Sequence, residues 1–526
     1  MEKAFLFVDV RNPTWQVYAG LLVFAVFFRF SRVMSVRNLD LTLILLLSTS
    51  LVVSGLIREQ PVADGVSLVA STEKPDHDAR AADVNSSGDE VAGNSALAEA
   101  VVSDPTGVDS NPVEAGSVPP TAQAVPTSKV SVASMMLFGL SILLLVRLVL
   151  DEGLTRRPRL DQNLNQAGLT FLCIPAFLLP MVGVFIHNPS NHSIKAVEHG
   201  MALLERREPA AGEPSESSVT PAPTETLIAA GGTVVAQLSG NRPDDSAASE
   251  GASFERWLAR VLIVVAHTMV VLGLLHIGRH HFSSLQLGLS MSCLYLLLPC
   301  TAVKVHELNQ VVPAACLIWA ISSYRNPIVS GVLLGLASGT LFFAAFLLPL
   351  WAVFYGRRGG VKFLVSVLGV AAVLISCLML TSGDANSFVN KLVTTANWSV
   401  YRLLDDTVTG ADASLSQLFI RIPMAAIFFV MLTAMTVIPR PRNLENLLAN
   451  STALIVSAQM WYPDDIGTYV LWYLPLFLLV IFRPRLDRFT PPEAVERQQA
   501  SSLLAPSSPT TASSATVAMT RISLFR

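Results

Sequence analysis

The feature that most constrains this chain is a series of apolar runs too long and too numerous for a soluble core. A membrane-crossing helix needs about 20 mostly apolar residues, because each residue rises about 1.5 Å through a hydrocarbon layer about 30 Å thick. That rule places spans near 15–30, 39–57, 130–150, 167–186, 257–278, 283–303, 310–323, 363–381, 416–437, 443–460 and 466–482. The fold class it predicts is all-α: a polytopic transmembrane helical bundle of about 11–13 membrane segments. Only 14% of the 526 residues are charged, against about 25% in an ordinary soluble protein. Mean hydropathy is +0.52. A net charge of −3 gives no attraction to nucleic acid, so no nucleic-acid partner is expected. The five cysteines carry no CxxC spacing and no histidine ladder, so neither a disulfide framework nor a metal site is expected, nor any cofactor. The N-terminus lacks the basic and cleavable pattern of a signal peptide, and the first span is expected to direct insertion.

One stretch fits neither one span nor two. Pro327 to Tyr355 is too long for one crossing and too short for a pair, which need about 40 residues. Arg325 precedes it, and Arg357, Arg358 and Lys362 follow it. Basic residues at both ends predict that both ends face one compartment, as a re-entrant or short-helix pair; one long tilted helix is the alternative. Bent backbone at membrane depth is tolerated where protein surrounds it. Gly331, Gly335 and Gly339, four residues apart, offer a face that another helix can approach closely.

Lys and Arg are retained on the cytoplasmic side of short loops. With the N-terminus outside and the C-terminus cytoplasmic, the inner connections hold sixteen basic residues from Arg29 to Arg488, and the short outer ones hold only Lys304, Lys391 and Arg402. The bias holds only if the 327–355 segment returns to its starting side. The location expected is an integral, multi-pass protein of a bacterial inner membrane, with the lipid bilayer as its first partner. The organisation is a transmembrane pair (1–57), a disordered acidic extracytoplasmic loop (58–128), a second pair (129–186) and a second disordered extracytoplasmic loop (187–254). The main bundle (255–488) and a disordered cytoplasmic tail (489–526) complete it. Residues 58–128 hold twelve acidic against three basic residues and no apolar period, a composition that cannot bury enough surface to order itself. Within 187–254, only 188–208 has the pattern of a short surface helix.

Ionisable groups at membrane depth are costly and therefore candidates for function. Arg260 and His267 share one face of the 257–278 span: Arg260 lies near the outer boundary, within reach of lipid phosphate, and His267 near the middle. His267 reads either as a packed, hydrogen-bonded histidine or as a proton relay. Three outer connections are rich in polar residues. The first holds Lys304, His306, Glu307, Asn309 and Gln310; the second holds Trp398, Tyr401, Arg402, Asp405 and Asp406; the third sets Asp464 and Asp465 among Trp461, Tyr462, Tyr469, Trp472 and Tyr473. Aromatics there also form an ordinary interfacial belt, and Asp464 also suits a helix cap.

Residues 299–362, LLLPCTAVKVHELNQVVPAACLIWAISSYRNPIVSGVLLGLASGTLFFAAFLLPLWAVFYGRRGGVKF with its leading apolar residues, resemble the GT-C class of polyprenol-phosphate-dependent glycosyltransferases, in particular the mannosyltransferase-like family 87. The shared order is a Pro-bearing helix end, a short polar outer segment, a span, an Arg-containing turn, an xGxxxGxA segment, a Pro-bearing return helix and an Arg-Arg run. WYPDDIGTYVLWYLPLFLLVIFRPR is similar to the family's late outer turn. The chain departs from the family in lacking a Lys before the return helix. The family's first-loop acid has only Asp64 or Asp9 as counterparts.

The resemblance implies transfer of a sugar from a lipid-linked donor, a polyprenyl phosphate, to an extracytoplasmic lipid or glycan, with inversion. Glu307, Asp464 or Asp465 would accept the acceptor's proton, and Lys304, His306 and Arg402 would face the phosphate. Asn309, Gln310, Arg260 and His267 complete the expected substrate-binding set. A secondary transporter, supported by Arg260, His267 and the broken 327–355 segment, and a non-catalytic membrane protein are the alternatives.

Overall fold

The computed structural model describes residues 13–59, 127–153, 162–207, 221–239, 248–396, 412–438, 442–462, 467–482 and 489–492. Helix follows helix with no strand among the described residues. The larger of the chain's two compact units comprises 1–53 and 133–526, and the smaller, 54–132, is described only at its helical ends. The expected acidic loop therefore lies outside the described residues.

Every expected span has a helix. In chain order these begin with α1 (Pro13–Phe27), α2 (Val36–Glu59), α3 (Thr127–Val149) and α4 (Gln166–Ile186). Next come α5 (Asn191–Glu205), α6 (Pro223–Leu238), α7 (Ala248–His280), α8 (Leu285–Leu297), α9 (Pro299–Val303) and α10 (Leu308–Ser322). The series ends with α11 (Pro327–Ser338), α12 (Leu348–Leu380), α13 (Ala385–Ala396), α14 (Asp412–Val437), α15 (Leu444–Ala458) and α16 (Val470–Phe482). Among the described residues, four segments are long and apolar enough to cross a membrane: Val36–Gly55, Gln166–Ile186, Ser253–His280 and Phe342–Leu380. α16, buried along its whole length, is packed by α15, α10 and α8. A helix apolar on all sides can be buried on all sides, and here it forms the centre of the bundle.

Phe342–Leu380 shows why length alone misleads. As one helix its 39 residues would extend about 58 Å at 1.5 Å per residue, about twice the hydrocarbon thickness. Gly356 breaks it, with φ 77° and ψ −164°, a backbone region open essentially only to glycine. Beyond the break α12 packs on α11, and the glycine face fixes the sense of the pairing. A Cβ on Gly331 would meet Ser366 and Phe363, one on Gly335 would meet Val370, and one on Gly339 would meet Leu374. Both numbers rise together, so α11 and the later part of α12 run parallel. The chain therefore goes out along α11, returns through the 3-10 turn Phe342–Leu347 and Leu348–Tyr355, and goes out again. The short-helix pair expected from the sequence is present, and Arg325 and Arg357 lie at the same end of it.

Two sequence expectations need correction. The tract 187–254 is not a disordered loop with at most one surface helix. It holds α5 and α6, which pack on each other and on α7; His192 meets Glu225 and Gly200 meets Ala230, so the two helices run parallel. The composition concealed this because the contact is made by small residues: a Cβ on Gly200 would lie 2.7 Å from the Ala230 backbone nitrogen. The tail expected to begin at 489 starts inside the packed structure. Phe489 lies edge-on to His281 and Tyr324, and its carbonyl accepts from Leu444 N at 2.9 Å.

The end of the bundle bearing Arg325 is held by a buried ion network. Arg147 forms a two-point bond with Asp40 at 2.7 and 2.8 Å and a third contact with Asp151 at 2.9 Å. Arg37, counted above as a loop cation, is instead buried and donates to Phe27 O at 2.9 Å.

Candidate functional site

The polar turn Lys304–Glu307 joins α9 to α10. Pro299 opens α9 at the position where a missing N–H costs nothing, and Lys304 ends it. Glu307 is the N-cap residue of α10, yet its side chain does not cap. Its carboxylate accepts from Lys304 Nζ at 2.8 Å, with the two side chains 22% and 29% exposed. The capping role passes to another helix: Ser193 Oγ, on α5, accepts from Leu308 N at 3.3 Å and donates to His306 O at 3.3 Å. A hydroxyl donated in trans thus leaves Glu307 available to Lys304.

The remaining residues of the turn divide by burial. His306 is 3% exposed, with its ring 5.8 Å from that of His187, so it is packed within the protein, whereas the resemblance implied that it faces the donor phosphate. Gln310 is buried and accepts from Trp472 Nε1 at 3.0 Å, tying the first turn of α10 to the first turn of α16. Asn309 Oδ1 is buried without a hydrogen-bond partner among the described residues. Arg260 does not extend to lipid phosphate; it donates to His187 O at 3.2 Å and Asn188 Oδ1 at 3.4 Å. His267 is fully buried and both ring nitrogens are engaged. Nε2 lies 3.2 Å from Val305 O, a group that only accepts, and Nδ1 lies 3.2 Å from the Tyr295 hydroxyl. The arrangement fixes one neutral tautomer and matches the packed-histidine reading.

Asp464, Asp465 and Arg402 lie outside the described residues, as do Trp398, Tyr401, Asp405 and Asp406. Both flanks of the Asp pair are placed. Phe343, in the bend of the short-helix pair, has ring centroids 5.6 Å from Tyr462, 4.7 Å from Tyr469 and 4.9 Å from Trp472. Trp472 in turn binds Gln310 beside the Lys304 turn. The bend, the flanks of the Asp pair and the Lys304 turn therefore share one end of the bundle. A recess of about 520 Å³ lies elsewhere, between α3 and α14, and is apolar, with Leu145, Val149, Ile427 and Met431 among its walls.

Sequence reasoning passed over the residues of the α5–α6 pair that face this end. Thr224 Oγ1 donates to Leu336 O at 2.8 Å and Thr224 N to Gly339 O at 3.4 Å, fastening α6 to the bend. Beside it Glu225 is wholly buried, 3.3 Å from His192 Nδ1. A Pro-Thr-Glu start to a helix was the available signal. No protein-family model matches this chain, and no curated protein or solved structure matches it either.

Proposed function

We propose that this chain is an integral membrane glycosyltransferase of the GT-C kind, taking a sugar from a polyprenyl phosphate at the end where the Lys304 turn lies. The Lys304–Glu307 pair carries the reading. It places a cation and a carboxylate in contact, half-buried, at a helix N-terminus, beside the unpartnered acceptor of Asn309. A donor phosphodiester competes with Glu307 for Lys304 and is favoured by the same positive helix end. Its arrival frees the Glu307 carboxylate to act as base.

The chemistry then balances. Glu307 takes the proton of the acceptor hydroxyl as its oxygen bonds to the anomeric carbon. The bond from that carbon to the phosphate oxygen breaks on the opposite face, and Lys304 stabilises the charge that develops on the departing phosphate. Asp464 or Asp465 is the alternative base and Arg402 a second cation toward phosphate. The sidedness follows the charge bias: the turn outside, the N-terminus outside and the C-terminus in the cytoplasm of a bacterial cell. The transporter reading loses its best residue, because His267 is held on both nitrogens by its own protein.

The test is turnover by the full chain reconstituted in liposomes, supplied with radiolabelled polyprenyl-phosphate hexoses and extracted lipid or glycan acceptors. Wild-type protein is expected to transfer label. Glu307→Gln is expected to lower kcat by about 10²–10⁴-fold, the usual contribution of a general base, and Lys304→Ala to raise KM for the donor. Absence of transfer from every lipid-linked hexose would overturn the reading.

A further inference from the structure

The parallel pair α5–α6 touches both features of the candidate site through adjacent residues near its two N-termini. Ser193 holds the Lys304–Glu307 turn. Thr224 holds the bend after α11. Between these anchors, and next to each, stand His192 and Glu225, with His192 Nδ1 3.3 Å from Glu225 Oε2. Glu225 is 0% exposed. Neither of its oxygens, nor His192 Nδ1, has a hydrogen bond of ordinary geometry among the described residues. Glu225 is the third residue of α6, where a carboxylate normally turns back to the N-cap amide. The Ala222 backbone at the N-cap favours the anion, second to burial and outside that geometry.

A buried carboxylate anion without partners is among the costliest arrangements a protein can hold, and a proton removes the cost. Once protonated, Glu225 donates its O–H to the neutral His192 Nδ1, and two of the three orphaned atoms satisfy each other. We propose that Glu225 and His192 form a proton-binding site that latches the α5–α6 pair between the polar turn and the bend, docked while the site holds its proton and released when the proton leaves.

The surroundings place the proton on Glu225. Both helices lie in the tract between spans. Burial pushes the Glu225 carboxyl up to about 8. Burial, then the nearby Lys195, pushes His192 down to about 4. Two turns further along α5 than His192, His199 is held down to about 4 by burial, by Lys391 of α13, by Lys195 and by His192. On α7, Arg260 is bound to His187 and Asn188, and Glu255 faces Glu198, Arg207 and Arg256. At the bend the neighbours are Leu336, Gly339 and Leu374, none of which titrates. Among the described residues, no neighbouring cation is therefore matched to a Glu225 anion. The sign follows: a carboxyl raised on folding favours docked α5 and α6 at low pH, and that contribution is lost as pH rises through about 8.

The experiment uses full-length protein in lipid nanodiscs, followed by hydrogen–deuterium exchange of α5 and α6 peptides and by infrared spectroscopy of protonated carboxyls. In the wild type, protection of both helices is expected to fall by up to about tenfold per pH unit beyond the intrinsic exchange rate as pH rises toward about 8 and to level off above it, while one protonated-carboxyl band is lost with a midpoint near pH 8. Glu225→Gln, a neutral isostere, is expected to lack that band and to stay protected at high pH. His192→Gln keeps the carboxyl but changes its partner, and is expected to shift both band and midpoint. That second variant decides the assignment if Glu225→Gln does not fold. A flat wild-type profile, a wild type without the band, or the same pH-dependent loss in Glu225→Gln would overturn the proposal.

Discussion

Replacing Gly356 with alanine attacks the break that makes α11 and Leu348–Tyr355 a returning pair. The residue sits at φ 77° and ψ −164°, where any Cβ meets its own backbone, so alanine costs about 1–3 kcal/mol if the break is kept. The escape is worse. Straightening the backbone would make α12 a single rod of 33 residues, about 50 Å long, and would pull Ser366, Val370 and Leu374 away from the glycine face of α11. The same helix supplies its own control, because a Cβ on Gly369 meets nothing within 4 Å. There Gly→Ala gains helix propensity, worth up to about 1 kcal/mol. Thermal unfolding of both variants in one detergent is therefore expected to separate them in opposite directions: Gly356→Ala below wild type and Gly369→Ala at or above it. Equal stability of the two would refute the assignment of a glycine-only break.

Three further outcomes are expected. Arg147→Met leaves Asp40 and Asp151 buried without their shared cation and should cost roughly 3–5 kcal/mol; adding Asp40→Asn should recover part of it, read as a double-mutant cycle in thermal unfolding. Gly200→Ala drives a Cβ to within 2.7 Å of the Ala230 backbone and 2.9 Å of Ala229, where no flexible side chain can yield. It should spread the two helices at a cost of roughly 1–3 kcal/mol, seen as faster protease cleavage within 187–254. Tyr295→Phe removes one hydrogen bond from His267 and should cost about 1 kcal/mol with the proposed sugar transfer intact; a proton relay through His267 would instead lose turnover.

The helices were legible as long apolar runs because a bilayer fixes the length of a span and excludes charge; among the described residues four are long and apolar enough to cross, and the other apolar helices are shorter. The returning pair was legible because three facts met in one segment: an impossible length, arginines at both ends and a glycine every fourth residue. Its glycines do meet Ser366, Val370 and Leu374. The break itself was not legible, since Gly356 is followed by Arg357 and Arg358 and reads as an ordinary loop after a span. The α5–α6 pair was missed for a different reason. Its buried face is built of Ser193, Ala196, Gly200, Ala229 and Ala230, residues that also compose disordered tracts, and only three-dimensional contact distinguishes the two. At the site, the turn's polarity was visible, but the division of labour was not. Nothing in VKVHELNQ says that Ser193 from another helix caps Leu308, that His306 turns inward or that Gln310 meets Trp472.

The polar turn, the bend and the α5–α6 pair can form one site only if the 327–355 segment returns to its starting side. Single cysteines at Arg325, Arg358 and Lys304, in a background without the native cysteines, test this in sealed vesicles of known orientation. Arg325 and Arg358 are both exposed, so their labelling by a membrane-impermeant maleimide is readily scored. The returning pair predicts that Arg325→Cys and Arg358→Cys label from the same side and Lys304→Cys from the other. Labelling of Arg325→Cys and Arg358→Cys from opposite sides would contradict it.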